Sequence, residues 1–224
     1  MGEWLTIDAG GTEVRGYVAV PEAGSGPGML VCHAWWGLNE SFTGLCDRLA
    51  SEGFVALAAD MHNGTVADTI PDAEAAMERL TREHAIAVSE AGLAALLARP
   101  EISGEKVGTI GFSMGSYWAI RLSIVHPEQV GAVVTFYGAG EGDFSGATAA
   151  YQGHFSPTDE WEPEEWVRGL ETSITEAGRE VTFHWYEGAG HWFFEANRPD
   201  AYNAEAAELA WQRTVDFLRA NLAG

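Results

Sequence analysis

Six short apolar segments, at residues 29–32, 54–58, 106–110, 131–136, 147–152 and 181–186, recur along this chain with helix-patterned stretches between them. Several are apolar throughout rather than alternating, which is the pattern of strands covered by helices on both faces. The expected fold is therefore α/β, with a mostly parallel central sheet. The helical stretches lie at 41–51, 71–99, 114–126, 163–177 and 201–222. Residues 4–7 and 15–20, joined through Gly10-Gly11, read as an antiparallel N-terminal hairpin at one edge of the sheet. Within 71–99, Ala73, Met77, Leu80, His84 and Val88 form an apolar stripe at helical spacing, and His84 reads as a packing histidine on it.

The 224 residues contain no Pro/Ser-rich linker near their middle, so one α/β domain spanning 1–224 is expected. No apolar run approaches the roughly 20 residues of a bilayer span, and the N-terminus lacks a basic region followed by an apolar one. With only Cys32 and Cys46, a disulfide framework is not expected, and a cytoplasmic location is the default. The formal charge of -21, with Lys106 the single lysine, argues against nucleic acid as a partner, because no basic cluster exists to displace phosphate counterions. No membrane partner is expected either. The association expected is a monomer or a small homo-oligomer.

One pentapeptide gives this scaffold a chemistry. Gly111-Phe112-Ser113-Met114-Gly115 sits where the third of the six apolar segments meets a helix that stops before Pro127. A serine between two glycines at such a junction has the form of a nucleophile elbow. The tight turn exposes the hydroxyl at a helix N-terminus, where the dipole favours developing negative charge. An ordinary glycine-rich loop is the alternative.

A serine nucleophile needs a base, and His191, in Glu187-Gly188-Ala189-Gly190-His191 after the last strand, is the candidate. Groups beyond the carboxyl ends of the strands of an open α/β sheet converge on one crevice. The base needs a carboxylate partner, for which Asp159 is the first choice and Asp143 the rival. Glu160, Glu162, Glu164 and Glu165 read as favourable charges at the start of the next helix. The resulting order of serine, acid, histidine is that of α/β-hydrolases. Oxyanion donors are expected from the backbone N–H of Met114 and from that of Trp35, in His33-Ala34-Trp35-Trp36-Gly37. His33 either braces that loop or is a satisfied structural histidine.

These features together resemble the dienelactone hydrolase family of α/β-hydrolases from about Gly28 to the C-terminus. The resemblance rests on Trp36-Gly37-Leu38-Asn39, Ala59-Asp60-Met61, the elbow, Asp159 with Pro163 four residues on, and Gly188-Ala189-Gly190-His191. It implies an α/β-hydrolase fold and a catalytic set of Ser113, Asp159 and His191. Three departures bear on substrate. Ser113 stands where the founding enzymes have cysteine, Ala34 where they have an activating glutamate, and Gly64 and Glu195 where they have substrate-binding arginines. A neutral or hydrophobic small ester is expected rather than dienelactone, with Trp36, Met61, Trp161, Trp192 and Phe193 as candidate pocket walls and Trp35 and Met114 beside them. Thioester and lactone hydrolysis remain open, as does a non-enzymatic binding or scaffold role on the same fold. No metal or cofactor is implied: the chain has no C-x-x-C, H-E-x-x-H, G-x-G-x-x-G or P-loop pattern.

Overall fold

A computed structural model describes residues 2–222. Among the described residues there are eight strands and six helices. The fold is α/β with a mixed sheet. Two compact units are distinguished, one running to Val107 and the other beginning at Gly108.

In the first unit, β1 (Glu3–Asp8) and β2 (Glu13–Ala19) form the antiparallel hairpin, with Leu5 opposite Gly16. β2 also pairs antiparallel with β4 (Val55–Ala59), and β3 (Gly26–Cys32) pairs parallel with β4. All five residues of β4 are buried, as a strand covered on both faces should be. Helix α1 (Glu40–Ser51) begins where the Asn39 side chain accepts a hydrogen bond from the Ser41 N–H.

The single helical stretch expected at 71–99 is instead two helices, α2 (Ile70–Arg79) and α3 (Arg82–Leu97). Leu80 is extended, and the Thr81 hydroxyl accepts from the His84 N–H, capping a new helix. A threonine satisfying an orphan donor outweighs the apolar periodicity running across it. The stripe is broken accordingly: Ala73 and Ala76 face inward from α2, and Ala85 and Val88 from α3.

β5 (Ile102–Phe112) runs through the boundary between the units. In the second unit it leads to α4 (Met114–Val125), β6 (Val130–Phe136), β7 (Ala150–Phe155), α5 (Glu164–Glu176), β8 (Val181–Trp185) and α6 (Ala204–Leu222). β6, β7 and β8 are parallel, with Phe136, His154 and His184 in register. β7 lies three residues later than the 147–152 expected from sequence. The strand runs through Gly153 and His154, and both are accommodated. A Cβ on Gly153 would press on the Phe155 ring, and the fully buried His154 bonds Tyr186 Oη, Gln152 Oε1 and Thr214 Oγ1.

Ring packing holds these strand ends together. Phe136 stacks on Phe112 at 4.8 Å and lies 4.5 Å from the His154 ring. Each such aromatic pair adds about 0.5–1.5 kcal/mol beyond the area it buries. Among the described residues no helix is long and apolar enough to cross a membrane.

Candidate active site

Ser113 follows β5 directly and is the N-cap of α4, with φ 50° and ψ -118°. That left-handed conformation is costly for a non-glycine residue and is held from several sides. The Ser113 N–H donates to the Phe136 carbonyl, and the Ser116 hydroxyl donates to the Gly111 carbonyl. The glycines are required sterically: a Cβ on Gly111 would run into the Gly115 carbonyl, and one on Gly138 into the Ser113 carbonyl.

The carboxyl ends of β7 and β8 deliver the other groups. Ser113 Oγ lies 2.9 Å from His191 Nε2, and His191 Nδ1 lies 2.7 Å from Asp159 Oδ2. An ionised carboxylate only accepts, so Nδ1 carries the proton and Nε2 is left to accept from the Ser113 hydroxyl. The second Asp159 oxygen accepts from the N–H groups of Trp161 and Glu162, at 2.8 and 3.0 Å. The imidazole and carboxyl are nearly dry, with side-chain exposures of 6% and 2%, so water competes little for their bond. The two loops are tied to each other, because the hydroxyls of Ser156 and Thr158 both donate to the Ala189 carbonyl. Nothing in the sequence singled out these two residues.

Asp143, the rival acid, is exposed and accepts from the Ser145 N–H in its own turn. Met114 is the first residue of α4, next to the serine. Trp161 and Trp192 lie at the site: their rings are 6.3 and 4.9 Å from that of His191 and 5.5 Å from each other. Phe193, expected as a pocket wall, is fully buried between Phe136, Tyr137 and Tyr186 and belongs to the core. An aromatic run at a loop supplies core and wall residues alike, and only burial tells them apart.

Two acids carry unusual environments. Glu195 is 2% exposed, and burial pushes its carboxyl up to about 7, opposed by a hydrogen bond from the Tyr137 hydroxyl at 2.9 Å. Burial, with the Asp159 carboxylate nearby, also pushes Glu162 up to about 7. Glu162 lines a cleft of about 700 Å³ with Tyr117, Ala139, Glu141, Glu165, Trp166 and Leu170 among its walls.

The remaining expected residues belong to the first unit. Trp35 lies in the turn after β3 and Trp36 beside it is 2% exposed, the two rings meeting edge-on at 5.2 Å. The fully buried His33 accepts from the Met61 N–H through Nε2, so its Nδ1–H donates to the Ala34 carbonyl. It braces the loop, and burial holds it neutral. Asp60 accepts from the N–H groups of His62 and Gly64, shaping the turn in which Met61 lines a cavity of about 160 Å³.

The model of the dienelactone hydrolase family matches residues 14–222. The chain belongs to the dienelactone hydrolase family. It is 31% identical over 228 residues to Protein usf of Aquifex pyrophilus, covering 98% of each chain. It is 30% identical over 231 residues to a carboxymethylenebutenolidase of a Pseudomonas species, covering 97% of this chain and 94% of that one. Among solved structures, a dienelactone hydrolase-like promiscuous phosphotriesterase from metagenomic libraries superposes with a TM-score of 0.89, at 24% identity and covering 99% and 98% of the two chains. That likeness shows the fold. As a dienelactone hydrolase-family protein, the chain is a hydrolase acting on ester or lactone bonds.

Proposed function

We propose that the protein is a serine hydrolase of carboxylic esters, acting through Ser113, His191 and Asp159. The observation that carries this reading is the continuous hydrogen-bonded line from Ser113 Oγ through His191 to Asp159 Oδ2, begun on a strained serine at a helix N-terminus. In this reading Ser113 Oγ attacks the acyl carbon while His191 Nε2 takes its proton. The Met114 N–H donates to the tetrahedral oxyanion. His191 then protonates the departing alkoxide, and Asp159 holds the imidazolium. Water, deprotonated by the same nitrogen, releases the acid and restores Ser113.

Charge favours neutral substrates. In this reading the substrate extends into the cleft that Glu162 joins to the Asp159 turn; its walls carry Glu141 and Glu165 without a basic residue among those described, and its apolar surface comes from Tyr117, Trp166 and Leu170. A substrate carboxylate would be repelled there. Glu195, where the resemblance places an anion-binding arginine, is buried and tied to Tyr137.

The test is a panel of p-nitrophenyl acetate, butyrate and a carboxylate-bearing ester, with wild type and Ser113→Ala. Wild type is expected to prefer the neutral esters by about tenfold in kcat/KM, since one repelled charge at close range is worth about 1 to 4 kcal/mol and about 1.4 kcal/mol is tenfold. Ser113→Ala should fall to background. Turnover by Ser113→Ala would sink the mechanism, and preference for the anionic ester would overturn the substrate class.

A further inference from the structure

His191 makes its two hydrogen bonds from a turn, and a turn alone does not fix the plane of an imidazole ring. The rings nearest to it are Tyr137, at 5.0 Å between centroids and tilted by 57°, and Trp192, edge-on at 4.9 Å, with Trp161 at 6.3 Å beyond them. Tyr137 is itself an outlier. It has φ 38°, a left-handed conformation that a bulky residue adopts only when its surroundings impose it. Its N–H donates to the His154 carbonyl, and its hydroxyl donates to Glu195 Oε1 at 2.9 Å.

Glu195 is four residues beyond His191 and is built into the same turn. Its N–H donates to the Trp192 carbonyl, and its own carbonyl accepts from the Arg198 N–H. Its side chain is buried, and Oε2 has no hydrogen-bond partner among the described residues. Burying an acid is unfavourable without compensation. A strained tyrosine and a buried glutamate thus meet in one hydrogen bond directly beside the catalytic imidazole.

We propose that the Tyr137–Glu195 hydrogen bond is a positioning device for His191, an inference that rests on the serine-hydrolase reading. The bond fixes the tyrosine ring against which the imidazole lies. It also closes the 191–198 turn onto the end of β6, keeping Nε2 on Ser113 and Nδ1 on Asp159. Neither residue touches the reacting atoms in this arrangement. Both act through His191.

Three variants test it with a neutral p-nitrophenyl ester. Tyr137→Phe keeps the ring and removes the donor, Glu195→Leu removes the acceptor, and Glu195→Gln keeps an oxygen that can accept from the tyrosine. Tyr137→Phe and Glu195→Leu are each expected to lower kcat about tenfold to a hundredfold, because small misplacements of a catalytic group cost that much. KM should change by less than about twofold, since the ester itself meets neither residue. The double variant should lose no more than either single one, as expected for two halves of one interaction. Glu195→Gln should stay within about threefold of wild type, because it keeps the hydrogen bond from Tyr137.

Rates are compared per folded molecule, below the lowest Tm of the set, so that lost stability alone does not register. Unchanged kcat in Tyr137→Phe, or Glu195→Gln falling as far as Glu195→Leu, would overturn the proposal. If Glu195→Leu does not fold, the comparison of Tyr137→Phe with Glu195→Gln decides instead: equal losses in the two would overturn the proposal, and a loss confined to Tyr137→Phe would support it. Turnover by Ser113→Ala would break the underlying serine-hydrolase reading, so the two failures are distinguishable.

Discussion

Asp159→Asn is expected to lower kcat for neutral p-nitrophenyl esters by roughly a thousandfold to ten-thousandfold while the protein stays folded. The carboxylate is tied on both oxygens: Oδ2 to His191 Nδ1, and Oδ1 to the N–H groups of Trp161 and Glu162. An asparagine there can keep its oxygen on the two backbone donors and turn its NH2 toward Nδ1. The imidazole proton then moves to Nε2, and the nitrogen that should accept from Ser113 becomes a donor. Geometry survives and the base is lost. KM should change little, because no part of the carboxylate faces the ester in this mechanism. Asp143→Asn serves as the comparison, since Asp143 is exposed and accepts from the Ser145 N–H within its own turn. Wild-type rates in Asp159→Asn with loss in Asp143→Asn would transfer the role to Asp143.

Replacing Glu195 by Gln should stabilise the protein at alkaline pH and leave it little changed in mild acid. The Glu195 carboxyl goes from an ordinary value of 4.5 to about 7 in the folded chain, chiefly through burial. Between those values the folded state holds a proton that the unfolded state has released, so stability falls as pH rises through this window. The loss is complete above the folded value and amounts to roughly 3 kcal/mol, at about 1.4 kcal/mol for each pH unit of separation. A glutamine does not titrate and still accepts from Tyr137. The Tm of Glu195→Gln minus that of wild type should therefore be near zero at about pH 4, below the unfolded value, and reach about 5–10 °C near pH 8. Glu162, also pushed up to about 7, titrates in both proteins and cancels in the difference. A difference that does not change with pH would contradict the buried-acid assignment.

Much of this architecture is legible in the residues. Continuously apolar strands, a serine between glycines at a strand-to-helix junction, and histidine and aspartate in later strand-end loops are local signals. The parallel register then brings those loop ends to one place. What sequence hides is non-local or depends on burial. The break at Leu80 turns on a single threonine cap, weaker to the eye than the apolar stripe crossing it. The later placement of β7 follows from His154, whose polar atoms find partners just past β8 and on α6. Tyr137 and Glu195 are 58 positions apart, and the family resemblance marks Glu195 only as a departure from a substrate-binding arginine, not as a buried acid. Its burial comes from the turn that also carries His191. Phe193 and Trp161 look alike in sequence, yet one is fully buried and the other 43% exposed.

The central claim is that Ser113 is an activated nucleophile. Its most direct test is treatment of the folded protein with a fluorophosphonate, followed by mass mapping of the adduct. A single phosphonyl group on Ser113, absent in Ser113→Ala, is the predicted result. No adduct on the folded wild type, or an adduct that persists in Ser113→Ala, would contradict it.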